Sequence, residues 1–259
     1  MGATTKFTAT QSAEAFNYMA MAGWDSQQML DGIEGILNLA AASGEDLGTT
    51  SDIVTDALTA FGLKASDAAH FSDVLAQSAA SANTNVSMMG ESFKYVAPIA
   101  GAMKYSVEDT SLALGLMANA SVKGSMAGTS LKTALANMAA PTDKMATAMK
   151  KYGISLTDSN GNMKTLKGVL DNLRSSLGGL SETEKTAAAS TIFGKEAMSG
   201  MLAIINATES DYNKLAESIN NADGAASKMS DTMLDNLEGS ITLLQSAMDG
   251  VKISFGERL

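Results

Sequence analysis

Cysteine is absent from this sequence of 259 residues, and proline occurs only twice. Without cysteine the chain forms no disulfide and offers no thiolate to a metal ion. Scarce proline removes the residue that most often interrupts a helix. Charged residues make up 18% of the sequence and hydrophobic residues 45%. This balance excludes a disordered composition and indicates a chain that folds around a core.

Long apolar runs are also absent, since none approaches the roughly 20 residues of a membrane-spanning helix. The first residues lack the basic stretch and apolar core of a signal peptide, so we expect no export by that route. The net charge is −10, and the longest basic run is Lys150-Lys151. An acidic surface repels phosphate backbones, so we expect no direct nucleic-acid binding by this segment.

The residues that are present favour helices. Alanine is abundant and there are 18 methionines, both of which lose little side-chain freedom in a helix. Apolar residues recur at spacings of three and four along most of the chain, with glycines such as Gly44 and Gly62 after the helical stretches. Four serines are predicted N-caps. They are Ser66, Ser87, Ser106 and Ser181, the last in a capping box with Glu184.

One segment departs from the helical pattern. Residues 154–157 alternate in polarity and would form the first arm of a hairpin. An Asn160-Gly161 turn follows, and residues 162–164 would form the second arm. Asn-Gly between two such arms is typical of a β-hairpin. The sequence therefore predicts an all-α fold: a compact multi-helix domain with one short β-hairpin near 154–164 and a long C-terminal amphipathic helix.

The C-terminal helix carries a seven-residue repeat, which we term the seam. Its apolar members after Leu234 are Leu237, Ile241, Leu244, Met248, Val251 and Phe255. About three heptads is near the minimum for a coiled coil. Two interpretations stay open: a helix packed on its own domain, or a stem that associates with another helix. We expect a helical core module over residues 1–224 and the start of a stem over 225–259, with at most weak self-association through 234–255.

Patterns typical of enzymes and metal sites are incomplete. His70 is the only histidine, too few for a common zinc site or a histidine-based triad. Residues 124–130 resemble a phosphate-binding loop, but Thr129 stands where the loop requires lysine. A calcium loop starting at Asp158 would need Glu at its twelfth position, which is Val169. We therefore predict no cofactor, no metal site and no catalytic residue.

The strongest enzyme signal is Glu91-Ser92, followed later by Gly115-Leu116-Met117. Lytic transglycosylases carry a Glu-Ser pair and a Gly-Leu-Met-Gln stretch in the same order, with the Glu as general acid. Here Ala118 replaces the glutamine. The alternative function is therefore a peptidoglycan-cleaving domain that acts through Glu91. The competing interpretation is that Glu91 is an exposed residue in the first turn of its helix and has no catalytic role.

Six blocks of the sequence resemble successive parts of the core region of phage tail tape measure proteins. They are AMAGW (20–24), DLG with DIVTDAL (46–58), FKYVAP (93–98), GSMAGTSL (124–131), IFGKEA (192–197) and LDNL (234–237). The blocks occur in the family's order and extend over roughly residues 10–245. The resemblance implies a mostly helical structural protein that sets tail length and leaves the tube ahead of the genome.

The same resemblance implies a place in the virion tail and in the host cytoplasm during assembly. It also implies tail tube proteins, tail tip proteins and assembly chaperones as partners. The segment itself is not expected to be the ruler, because helices of 12 to 20 residues between glycines and serines do not form a continuous rod. Four residues are predicted to lie in the core: Phe93, Leu131, Leu173 and Ile192.

Overall fold

The computed structural model describes residues 6–235, 239, 241, 242 and 244–248. Over these residues the chain is helical and contains no strand, which confirms the all-α prediction. The helices are α1 Ala9–Met21, α2 Ser26–Ser43, α3 Leu47–Phe61, α4 Ala68–Ser81, α5 Val86–Ala102, α6 Val107–Asn119, α7 Ser125–Ala139, α8 Asp143–Lys151, α9 Leu166–Leu177, α10 Glu182–Phe193, α11 Lys195–Asn206, α12 Glu209–Asn220 and α13 Ala225–Leu234. A short 3₁₀ helix, Ala65–Asp67, precedes α4.

Side chains at the helix starts explain where several helices begin. Ser106 accepts a hydrogen bond from the amide of Asp109, and Ser181 forms the predicted capping box with Glu184. The predictions for Ser66 and Ser87 are wrong. Asn85 caps α5 instead, because its side chain accepts a hydrogen bond from the Met88 amide. Ser66 lies inside the 3₁₀ helix that precedes α4, and the N-cap of that helix is Lys64.

The prediction of a β-hairpin near residues 154–164 is wrong, because neither of its arms forms a strand. Thr157 and Met163 form one isolated antiparallel bridge. The Asp158 carboxylate accepts hydrogen bonds from the Asn160 and Asn162 amides and so holds a tight turn. These hydrogen bonds, from two amides and from the Asn162 side chain, lower the pKa of Asp158. Arms this short, without a third strand to pair with, do not extend into a sheet.

The chain divides into two compact units. Unit 1 comprises Met1–Gln77 and Ala222–Leu259, and unit 2 comprises Ser78–Asn221. In unit 1, α2 packs against α1, α3, the 3₁₀ helix and α13. The core of unit 1 is built from large apolar side chains that are fully buried, among them Met19, Ile33, Ile36, Leu39, Leu58 and Phe71.

Unit 2 is organised around α7 and α11. The former packs against α5, α10 and α11, while the latter also packs against α6, α9 and α10. Helix α12 lies against α6, and α8 against α10. The core of unit 2 holds fully buried large side chains, among them Met89, Phe93, Leu114, Met117, Leu131 and Phe193. Helix α5 contains Pro98.

Candidate interaction surfaces and helix crossings

Helices α5 and α7 cross with almost no space between their backbones. A Cβ atom on Gly128 would overlap the carbonyl oxygen of Ser92. The buried Ser92 hydroxyl lies 2.8 Å from the carbonyl oxygen of Gly124 and 2.9 Å from that of Met88, and its single proton is shared between these two acceptors. Glycine is therefore required at position 128 by the close approach of two helices, which explains a glycine in the middle of a helix.

A second close crossing joins α7 to α11. A Cβ atom on Gly200 would overlap the hydroxyl of Ser130, and that hydroxyl donates a hydrogen bond of 3.0 Å to the carbonyl oxygen of Ala197. The side-chain amide of Asn137 donates to the carbonyl oxygen of Phe193 at 2.7 Å. Small residues and side-chain-to-backbone hydrogen bonds together fix how these helices approach.

A polar network joins α9 to α12. The Tyr212 hydroxyl donates a hydrogen bond of 2.6 Å to Asp171, and the Arg174 guanidinium lies 4.4 Å from the centre of the Tyr212 ring. Arg174 also donates to two carbonyl oxygens at the end of α11. Burial, and then the hydrogen bond to Asp171, raise the pKa of Tyr212. Each of these polar groups contacts another residue of unit 2, so we assign the network a structural role.

The start of α13 is capped by a residue of α4. The Asp73 carboxylate accepts hydrogen bonds from the amides of Gly224, at 2.8 Å, and Ala226, at 2.9 Å. A carboxylate at this end also complements the helix dipole. His70, which is half exposed, places Nδ1 3.3 Å from the Asp223 carboxylate. The single histidine therefore lies at a contact inside unit 1.

The Glu91-Ser92 pair belongs to the first crossing. Ser92 is buried and bonded between α5 and α7, and Glu91 is partly exposed beside Gly124. Residues 124–130, which resemble a phosphate-binding loop in sequence, form the N-cap and the first turns of α7, and Gly124 has a φ of 57°.

Within the described residues no group of three or more His, Cys, Asp or Glu could hold a metal ion. Over the same part of the chain, no helix combines the length and hydrophobicity needed to cross a membrane.

The four residues predicted for the core are all buried in unit 2. Phe93 is 1% exposed, and Leu131, Leu173 and Ile192 are 0% exposed. Each lies on a different helix: α5, α7, α9 and α10.

The C-terminal segment, defined as the described residues between 239 and 248, has two different faces. Gly239 and Ser246 are buried and Thr242 is partly buried, and the Ser246 hydroxyl donates a hydrogen bond of 2.9 Å to the carbonyl oxygen of Phe7. The opposite face carries three seam residues that are exposed: Ile241 at 48%, Leu244 at 61% and Met248 at 52%. The small residues thus attach the segment to unit 1, and the large apolar residues face outward.

The other seam residues, Leu237, Val251 and Phe255, lie outside the described residues. Helix α13 ends at Leu234, and Asp235 is its C-cap, whereas the sequence pattern predicts helix through this residue. The boundary predicted between residues 224 and 225 stays a prediction.

Charge is distributed unequally between the two units. Unit 1 contains 16 acidic and 5 basic residues, a net charge of −11, whereas unit 2 contains 12 acidic and 13 basic residues, a net charge of +1. Among the described residues unit 1 also has eight of the twelve exposed large hydrophobic side chains, although it is the smaller unit. The acidic character of the chain and most of the exposed large hydrophobic side chains of the described residues therefore lie on the same unit.

Sequence reasoning missed these features for different reasons. The charge difference becomes visible only once residues 222–259 are assigned to the same unit as residues 1–77. The contacts of Asp73 with residues 224 and 226, and of Tyr212 with Asp171, join positions far apart in sequence, so no local pattern predicts them. The close approach of Gly128 to Ser92 likewise joins positions far apart in sequence, so no local pattern predicts it.

Comparison with known proteins gives consistent matches. A family described as phage-related minor tail protein matches residues 1–194. The tape measure protein of Pneumococcus phage Dp-1 is 40% identical over 253 residues, covering 98% of this chain and 22% of that protein. The probable tape measure protein of Escherichia phage P2 is 29% identical over 254 residues, covering 97% of this chain and 31% of that protein. No solved structure matches. The chain thus spans between about a fifth and a third of the length of these relatives.

Proposed function

The chain belongs to the phage-related minor tail protein family, and we propose that it is a structural module of a tape measure protein in a phage or prophage tail. The observation that carries the proposal is the 40% identity to a tape measure protein along 98% of the chain. The protein sets tail length during assembly in the host cytoplasm, remains in the virion tail and leaves at genome ejection. Its partners are tail tube and tail tip proteins and assembly chaperones.

Within that protein the module is not the ruler. A ruler requires continuous helix, which rises about 1.5 Å per residue. The longest described helix, α2, has 18 residues and so spans only about 27 Å. The tight crossings at Gly128 and Gly200 hold the helices of unit 2 against one another, which supports a folded module attached to the ruler.

The exposed seam residues support a stem in the C-terminal region. Self-association through residues 234–255 is weak in the isolated chain, because the three seam side chains that are exposed among the described residues cover far less than the roughly 800 Å² per partner of a stable interface. The net charge of −11 on unit 1 adds repulsion between two copies.

The module is not an enzyme in this proposal. Ser92 serves a helix crossing, and the residues around Glu91 have a packing explanation. A zymogram on peptidoglycan tests the alternative: we expect no clearing by the wild-type chain. Clearing that disappears in Glu91→Gln would establish the lytic function.

Tail length in electron micrographs tests the main proposal. In-frame deletions in helical parts of the same protein outside this chain should shorten tails by about 1.5 Å per deleted residue. Tails of unchanged length across such a series would contradict the assignment as a tape measure protein.

A further inference from the structure

The outward face of the C-terminal segment has the properties of a helix-binding surface. Ile241, Leu244 and Met248 are spaced three and four residues apart, so they lie along one face of the helix. All three are about half exposed or more. The segment is already attached to unit 1 through its other face, where Ser246 bonds to Phe7, so the apolar face is not needed for that attachment.

The charge of the sequence that contains this segment indicates the chemistry of a partner. From residue 229 to residue 251 the sequence has four acidic residues and no lysine or arginine. They are Asp231, Asp235, Glu238 and Asp249. The rest of unit 1 is acidic as well. Apolar side chains on a strongly acidic unit complement a helix that has an apolar stripe flanked by lysine or arginine.

Other occupants fit less well. A second copy would bring another unit of net charge −11 against the first, which opposes association. An anionic membrane surface attracts amphipathic helices that are rich in lysine and arginine, and residues 229–251 contain neither. Methionine at position 248 is suited to a helical partner, because its flexible thioether side chain adapts to varied apolar surfaces.

We propose that Ile241, Leu244 and Met248 form a docking surface for a basic amphipathic helix of a partner protein. The apolar stripe of that helix covers these three side chains, and its cationic flanks face the carboxylates of unit 1. This inference goes beyond the proposed function. The binding test does not depend on the proposed function, because binding is measured on the purified chain.

The test measures binding of a synthetic helical peptide to the full chain of 259 residues by calorimetry. The probe is a Leu/Lys peptide of about 18 residues with Leu at helix positions i, i+3, i+4 and i+7. One control peptide has the same composition in scrambled order, which keeps the charge and removes the stripe. A second control replaces every Lys with Glu, which keeps the stripe and reverses the charge.

Two variants of the chain locate the site. Leu244→Gln removes an exposed apolar side chain from the docking surface. Met126→Gln is the matched control, since Met126 is 64% exposed on unit 2, whose net charge is close to zero. Both positions are exposed, so thermal unfolding of each variant should match wild type; Ile241→Gln replaces Leu244→Gln should the latter lower the melting temperature.

We expect the amphipathic basic peptide to bind, and Leu244→Gln to weaken binding at least about tenfold, the effect of losing one buried leucine. Met126→Gln should change it less than about twofold, the range of a surface change away from the site. Both control peptides should bind at least about tenfold more weakly, and added salt should weaken binding.

Three results would overturn the proposal. The first is equal binding of the scrambled peptide, which would mean attraction by charge alone. The second is an effect of Leu244→Gln no larger than that of Met126→Gln, which includes the case in which the basic peptide binds none of these proteins. The third is sedimentation showing a wild-type oligomer that Leu244→Gln converts to a monomer, which would make a second copy the occupant.

Discussion

Replacing Gly128 by alanine tests whether the close crossing of α5 and α7 sets the geometry of unit 2. The added Cβ would overlap the Ser92 carbonyl oxygen, a backbone atom that cannot turn aside as a flexible side chain can. The helices must separate, which weakens the hydrogen bond between Ser92 and Gly124, worth about 1 kcal/mol. Overpacking of this kind costs typically about 1–3 kcal/mol. Alanine in a helix interior returns at most about 1 kcal/mol.

The net expectation is a loss of about 1–3 kcal/mol in the free energy of unfolding. Urea titration followed by circular dichroism measures it. Gly179→Ala is the control, because a Cβ there meets no atom within 4 Å and should leave stability unchanged or raise it by up to about 1 kcal/mol. If Gly128→Ala were as stable as wild type, the argument that glycine is required by the crossing would be refuted.

Four further predictions concern single side chains. Leu173→Ala should cost about 2–5 kcal/mol on urea unfolding, because Leu173 is fully buried; a loss below about 1 kcal/mol would contradict its place in the core. Tyr212→Phe should cost about 1–3 kcal/mol by removing the hydrogen bond to Asp171. Tyr105→Phe should cost nothing at neutral pH, because the buried Tyr105 hydroxyl has no hydrogen-bond partner in the described residues; equal losses in both variants would contradict this contrast. Burial raises the pKa of Tyr105 from 10.0 to about 12, so wild type should lose stability relative to Tyr105→Phe as pH rises through that window, and unfolding midpoints measured from pH 9.5 to 12 should diverge. Glu91→Gln should leave the melting temperature within about 2 °C of wild type, as for an ordinary surface change; a larger fall would assign Glu91 a structural role.

The positions of the helices could largely be predicted from short-range sequence patterns. Nine of the thirteen described helices begin at a residue whose side chain accepts a hydrogen bond from an amide of the first turn. The 3.6-residue period identifies the buried face. The prediction of the Ser181 capping box was confirmed. The cap of α5 was misplaced by two residues, because Asn85 and Ser87 are equally suitable caps and only the tertiary structure selects between them.

The candidate surfaces could be predicted only in part. The seam was visible as a seven-residue repeat, but the repeat does not reveal which face of the helix packs on its own unit. That depends on the contact between Ser246 and Phe7, which are more than 230 positions apart. The hairpin prediction failed for a related reason: Asn-Gly specifies a turn, whereas strands also need neighbours to pair with.

The most direct test of the central claim, that the chain is a module of a tape measure protein and not its ruler, is tail length after equal insertions at two sites. A helical segment of about 30 residues adds about 45 Å of length when it lies in the ruler. Inserted at the exposed turn beside Gly161, it should leave tails at wild-type length; inserted into helical sequence of the same protein outside this chain, it should lengthen them by about 45 Å. Equal lengthening from both sites would contradict the module, and no lengthening from either would contradict the tape measure assignment.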